Sequence, residues 1–310
     1  MSTPKTLGGV IPPLTTPLDA DGEVDTASLE RLCTFLITAG VDGLFVCGSS
    51  GETALLSDSQ RCRVIEVAIS VAGGQVPVVA GAVDTGTARV IDHARAAAKR
   101  GAAAVVSTGP FYVASHPAEV VRHFELISGA VDVPVIAYDI PSATNTRLPQ
   151  SAIGELAESS TIAGLKDSSG DLTTFRQILL ATAGTDLRVF TGSETVTDLA
   201  LRLGAHGQVP GLGNVDPDGY VRLGRAAAAG DWVTATTDQE RLLRLFAIVG
   251  VADRSRIGFT AAALGAFKAA QYLRGVIDVP RCADPLLPLV DGEIDAIRGI
   301  LVSEGIDVAR

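Results

Sequence analysis

The chain alternates short apolar runs with longer stretches in which apolar residues recur at helical spacing. The runs are Gly9–Leu14, Gly43–Cys47, Val76–Ala80, Ala103–Val106, Val133–Tyr138, Thr161–Leu165, Leu187–Thr191 and Gly207–Val209. Runs this short and this apolar read as strands buried on both faces of a parallel sheet. Between the runs, Leu29, Leu32, Leu36 and Ala39 keep one helical face behind the capping residues Asp25 and Thr26. Val64, Val67, Ala68 and Val71 do the same after Ser57. Further helices fit Thr87–Lys99, Pro117–Ser128, Pro149–Glu158, Leu172–Ala183, Glu194–Leu203 and Pro217–Ala229. Pro117, Pro149 and Pro217 stand where a first turn tolerates proline, and Gly40, Gly101 and Gly204 where helices end.

Eight strands, each followed by a helix, give the count of a (β/α)8 TIM barrel, here residues 1–230. A doubly wound sheet would more often carry fewer strands and a glycine-rich first turn. After Gly230 the pattern is helical only, over Trp232–Val249, Ile257–Leu273 and Glu293–Val302. Residues 231–310 are therefore expected to be a C-terminal helical extension packed on the barrel, with no linker between the two parts.

Composition narrows the function. With 310 residues, 47% hydrophobic and 19% charged, the chain can bury a large core, which excludes disordered and low-complexity classes. A net charge of −10, without a basic stripe, excludes nucleic acid and anionic membranes as partners. Any anionic substrate must be held by local donors against that overall field. No run of about 18 apolar residues suggests a membrane span. The opening segment Met1 to Leu7 is polar and lacks a secretory pattern. Cys33, Cys47, Cys62 and Cys282 match no zinc spacing and read as reduced core thiols, so a cytoplasmic protein is expected. His93, His116, His123 and His206 are dispersed and read as helix-surface or loop residues, so no metal site is expected. Asp167 and Asp171 read as turn and cap residues, and no serine-hydrolase elbow occurs.

In a (β/α)8 barrel the chemistry sits at the C-terminal ends of the strands. Four run ends carry reactive residues: Gly48-Ser49-Ser50-Gly51-Glu52, Thr108-Gly109-Pro110-Phe111-Tyr112, Tyr138-Asp139-Ile140-Pro141-Ser142 and Lys166-Asp167-Ser168-Ser169-Gly170. Only four lysines exist: Lys5 in the opening segment, Lys99 at a helix end, Lys268 within a helix and expected on a solvated face, and Lys166. Lys166 alone follows directly on a strand-like run. Burial there favours the neutral amine, which attacks ketones and forms a Schiff base. The ordinary alternative is a lysine paired to a carboxylate at the barrel rim. Tyr138 ends the neighbouring strand and could move protons, with Ser49 and Tyr112 as relay hydroxyls. Its ordinary alternative is a rim tyrosine bonded to a carbonyl. Backbone N–H groups in the Gly48–Glu52 turn could hold a carboxylate.

These residues together resemble the dihydrodipicolinate synthase/N-acetylneuraminate lyase family, over nearly the whole chain. The resemblance rests on Val10-Ile11-Pro12-Pro13-Leu14-Thr15-Thr16-Pro17, Gly48–Glu52, Tyr138-Asp139-Ile140-Pro141 and Gly164-Leu165-Lys166-Asp167, in the family's order. It implies a class I lyase with no cofactor. Lys166 would form a Schiff base with pyruvate or a pyruvyl substrate, Tyr138 would be the general acid/base, and Ser49 and Tyr112 would relay protons. The second tyrosine serves a neighbouring subunit's site in the family, which implies a homodimer or dimer of dimers. Ser50 and Gly51 would hold the substrate carboxylate, and the Val209 carbonyl would face the lysine.

Departures from the family bear on the substrate. Lysine-pathway synthases carry an arginine two residues after the motif proline; here that position is Ala143. Arg147 is the nearby basic residue available to replace it. Sialic acid lyases carry an Asp-Glu pair and a later serine, where this chain has Glu194-Thr195 and Gly211. The remaining Gly192, Ser193, Glu194 and Thr144 suit hydroxyls. The leading expectation is reversible cleavage of a 2-keto-3-deoxy sugar acid to pyruvate and an aldehyde. The alternatives are 4-hydroxy-tetrahydrodipicolinate synthase, using pyruvate and aspartate semialdehyde, a dehydratase of the same family, and a non-catalytic keto-acid sensor. The positions aligned with the feedback lysine site of regulated synthases are Asp58, Thr85, Arg89 and Phe111. A glutamate that pairs with the ligand's amino groups in those enzymes is replaced by Arg89, so lysine inhibition is not expected.

Overall fold

The computed structural model describes residues 7–310. Lys5 and all but the last residue of the polar opening segment lie outside them. Eight strands form one parallel sheet: β1 (Gly9–Val10), β2 (Leu44–Val46), β3 (Val78–Gly81), β4 (Ala104–Thr108), β5 (Val135–Asp139), β6 (Gly164–Asp167), β7 (Arg188–Thr191) and β8 (Gly207–Gln208). From β2 to β8 each strand pairs with the next, and β8 pairs with β1. A parallel bridge from Pro13 to Phe45, with Leu14 N donating to the Phe45 carbonyl at 2.8 Å, closes the ring between the β1 segment and β2. The fold is a (β/α)8 barrel with C-terminal helices. β1 is shorter than its apolar run because Pro12 and Pro13 have no N–H to donate to a ladder.

The helices are α1 (Thr26–Ala39), α2 (Asp58–Ala72), α3 (Thr87–Arg100), α4 (Pro117–Ser128), α5 (Pro141–Thr144), α6 (Gln150–Glu158), α7 (Leu172–Ala181), α8 (Thr197–Leu203), α9 (Pro217–Ala228), α10 (Trp232–Phe246), α11 (Phe259–Leu273) and α12 (Asp291–Ser303). The caps follow the sequence: Asp25 accepts from Ser28 N at the start of α1, and Ser57 with Gln60 forms a capping box on α2. α8 starts three residues later than its pattern suggests, because Glu194 belongs to the preceding loop. The single turn α5 was not expected from the pattern.

Strand alternation divides the core. Phe45, Val79, Val106, Ile136, Phe190 and Val209 point into the barrel with Tyr138, while Leu44, Val46, Val105, Val135, Leu165 and Val189 point out to the helices. Each such side chain contributes roughly 1.5–3 kcal/mol by leaving water. Two expectations fail here. His93 and His123 are buried, and Lys268 is fully buried rather than solvated. Residues 264–271 of α11 are all buried, so this stretch has no face on which a lysine could meet water.

Candidate active site

Lys166 and Tyr138 are register partners on β6 and β5, and both side chains point into the barrel. The Lys166 Nζ lies 4.1 Å from the centre of the Tyr138 ring and 5.1 Å from that of Phe45. Lys166 is buried, and the floor beneath it is apolar: Ile11, Phe45, Val79, Val106, Ile136 and Phe190. Its carboxylate neighbours on the strand ends face elsewhere. Asp139 and Asp167, one residue after Tyr138 and Lys166, point outward on the other face of the sheet. The rim ion pair that would have made Lys166 an ordinary structural lysine is therefore not formed with either of them.

Arg147 belongs to that outer face. Its Nε donates to Asp139 Oδ2 at 2.7 Å, and Leu148 N donates to Asp139 Oδ1 at 3.0 Å. Asp167 Oδ1 accepts from Ser169 N at 2.7 Å, and its Oδ2 is buried without a partner. Burial pushes the Asp167 carboxyl above the usual range, and Asp139 adds to the push, while the Ser169 donors and Arg147 oppose it. Asp171 caps α7 by accepting from Thr173 N and Thr174 N.

Two glycines make room around the lysine. A Cβ on Gly192 would come 3.0 Å from Lys166 Cε and 2.0 Å from Ser168 Oγ. Only glycine lets the β7 end pass this close. A Cβ on Gly48 would meet the Phe45 ring at 2.8 Å, the ring that flanks the lysine. Val209 lines the same apolar space as Lys166. Ser168 was missed from the sequence. It lies two residues after Lys166 and thus on the same side of the chain, a period-2 signal that could have found it.

The Gly48–Glu52 turn sits at the C-terminal end of β2, with Gly51 N bonded to Gly48 O and Glu52 N to Ser49 O. Thr16 Oγ1 donates to Gly51 O at 2.8 Å, so the chain after β1 holds the turn from below. Ser49 and Ser50 remain partly accessible. Tyr112 follows β4 with a left-handed φ of 76° and is 94% exposed. Such a backbone is costly for a tyrosine. Tyr112 thus stands out in solvent, whereas Tyr138 is buried in the barrel.

Glu194 turns its carboxyl inward, accepting from Gly211 N at 2.9 Å. A Cβ on Gly211 would come 2.7 Å from that carboxylate, which thus occupies the space a larger residue there would need. Burial pushes the Glu194 carboxyl up, while backbone N–H groups of Gly211 and Leu212 and the charge of Lys166 pull it down. Tyr220 and Gln239 hold the Glu194 carbonyl at 3.4 and 2.9 Å. Thr144 donates its hydroxyl to backbone carbonyls of Ile140 and Thr146, leaving its lone pairs as the free function.

Comparison with known proteins agrees with this fold. The model of the dihydrodipicolinate synthetase family matches residues 6–303. A 4-hydroxy-tetrahydrodipicolinate synthase of Methanosarcina barkeri is 36% identical over 227 residues, covering 73% of this chain and 77% of that protein. An uncharacterized DapA-like lyase of Halobacterium salinarum is 34% identical over 98% of this chain and 96% of its own length. The crystal structure of YagE, a prophage protein of that family from E. coli K12 in complex with pyruvate, superposes with a TM-score of 0.90 at 28% identity. It covers 98% of this chain and 100% of YagE. The chain belongs to the dihydrodipicolinate synthetase family of class I pyruvate-dependent aldolases, and the protein is a lyase.

Proposed function

We propose that the protein cleaves a 2-keto-3-deoxy sugar acid reversibly to pyruvate and an aldehyde. The Lys166 amine attacks the C2 carbonyl, the carbinolamine loses water, and a protonated Schiff base results. Tyr138 supplies and removes the protons at that hydroxyl. It then takes the proton from the C4 hydroxyl as the C3–C4 bond breaks, releasing the aldehyde and leaving an enamine. A proton on C3 and water at C2 regenerate the lysine and free pyruvate. Ser49 relays protons to Tyr138. Tyr112, exposed on its own subunit, completes the relay in a partner's site, so the working unit is a homodimer or larger. Ser50 and Gly51 hold the substrate carboxylate, and Val209 offers its carbonyl opposite the lysine. Gly192, Glu194 and Thr144 face the hydroxylated end.

The observation that carries the substrate class is Ala143, together with Arg147 Nε being turned to Asp139. With alanine at 143, Arg147 was the substitute cation for a semialdehyde carboxylate, and its Nε is tied to the outer face. A charge-assisted bond of the kind forgone is worth about 1.5–3 kcal/mol. The second reading is 4-hydroxy-tetrahydrodipicolinate synthase, favoured by the names of relatives at 34–36% identity. The two separate on kcat/KM with pyruvate and either glyceraldehyde-type sugars or aspartate semialdehyde. Sugars are expected to react faster. A preference of about 10-fold for the semialdehyde, equivalent to about 1.4 kcal/mol, overturns the sugar-acid reading.

A further inference from the structure

α11 lies beyond the eight strands, yet two of its polar side chains reach the strand-end loops. Lys268 and Gln271 are three residues apart, hence on one face, and neither is exposed. Gln271 Oε1 accepts from Thr15 Oγ1 at 2.8 Å, and Thr15 N donates to Asn214 at 3.1 Å, which fixes the chain leaving β1. Lys268 goes to the other loop. Its Nζ donates to the Arg281 carbonyl at 2.6 Å and pairs with Glu52 Oε1, both side chains being fully buried. The other Glu52 oxygen accepts from Ala283 N at 2.5 Å. Glu52 itself holds a left-handed φ of 60° at the end of the Gly48–Glu52 turn.

Stability is a poor explanation for this arrangement. A buried ion pair can often be replaced by apolar residues of similar volume at no loss. What an apolar pair cannot do is hold one backbone residue in an unfavourable conformation from several directions at once. Glu52 is gripped by Lys268 and Ala283, and its neighbour Gly51 by Thr16, so the turn carrying Ser49 and Ser50 has no freedom to open. We propose that Lys268 is a positioning residue: through Glu52 it fixes the turn whose Ser50 hydroxyl and backbone N–H groups hold the substrate carboxylate. This rests on the reading of that turn as the carboxylate cradle.

The test is borohydride trapping, which needs pyruvate alone and no knowledge of the aldehyde. Adduct mass on Lys166 is titrated against pyruvate for the wild type and for Lys268→Met/Glu52→Gln, which leaves no lone buried charge. The half-saturating pyruvate concentration is expected to rise about 10-fold or more, the scale of a lost bond to a charged group, with the plateau labelling unchanged. Gln271→Met, which loosens the same helix at the other loop, should lower thermal stability and leave half-saturation unmoved. Should the double variant not fold, the polar pair Lys268→Gln/Glu52→Gln, which likewise leaves no lone buried charge, carries the test, with a rise of at least about 3-fold. Half-saturation within about 2-fold of wild type, or an equal rise in Gln271→Met, overturns the positioning role. A wild type that forms no adduct overturns the Schiff-base reading itself, and this inference with it.

Discussion

Tyr138 and Lys166 are register partners on neighbouring strands, with the amine 4.1 Å from the centre of the phenol ring. The ring is thus a wall for the lysine as well as a carrier of the hydroxyl. Tyr138→Phe keeps the wall and removes the hydroxyl alone. It should fold normally, still trap pyruvate, and lose roughly 10²–10⁴-fold in kcat; a loss below about 5-fold would route the proton elsewhere.

Tyr112 is expected to act across subunits, since it is 94% exposed on its own. Tyr112→Phe and Lys166→Ala proteins should each be impaired or inactive alone. After subunit exchange, activity should return, because a mixed dimer holds one site with an intact lysine and an intact partner tyrosine. A fully active monomer in sedimentation, or no recovery after verified exchange, contradicts this.

Free lysine should not inhibit. Arg89 occupies the aligned position with a guanidinium bonded to Asp58 at 3.1 Å and to Asp84 at 3.3 Å, and His93 shares Asp84 at 3.1 Å. Asp58 and Asp84, the acidic groups there, are already paired. The measurement is activity against lysine beside calorimetric binding. Saturable inhibition below about 1 mM, which requires about 4 kcal/mol of binding, would contradict the prediction and favour the synthase reading.

His123 should make folding sensitive to acid. Its ring sits between Thr87 Oγ1 at 2.9 Å and the Thr108 carbonyl at 3.1 Å. Burial pushes its pKa from 6.5 down to about 4, against the pull of the Thr108 bond. Between those values the unfolded chain binds a proton that the folded chain refuses, so stability falls as pH falls. On going from about pH 7.5 to about pH 5, urea unfolding should show wild type losing about 2 kcal/mol more than His123→Gln. Equal losses would refute it.

The strand count, the caps and the strand-end residues were legible because each depends on local pattern. Buried runs have a length and a period, Asp25 and Ser57 precede their helices, and Lys166 directly follows its run. What was not legible depends on contacts between distant segments. Lys268 is buried because Glu52 waits at the other end of the chain, although the apolar run around it was a usable warning. His93 and His123 are buried through Asp84, Thr87 and the Thr108 carbonyl, which local pattern cannot reveal. The direction of Arg147 was also hidden, since it follows from Asp139 pointing outward when Tyr138 points in.

The account stands on a covalent bond between Lys166 and pyruvate. The direct measurement is intact-mass and peptide mass analysis after incubation with pyruvate and borohydride. The account predicts one reduced pyruvyl group per subunit, on Lys166, with loss of activity. Labelling on Lys99 or Lys268 instead, or no adduct at all, would contradict it.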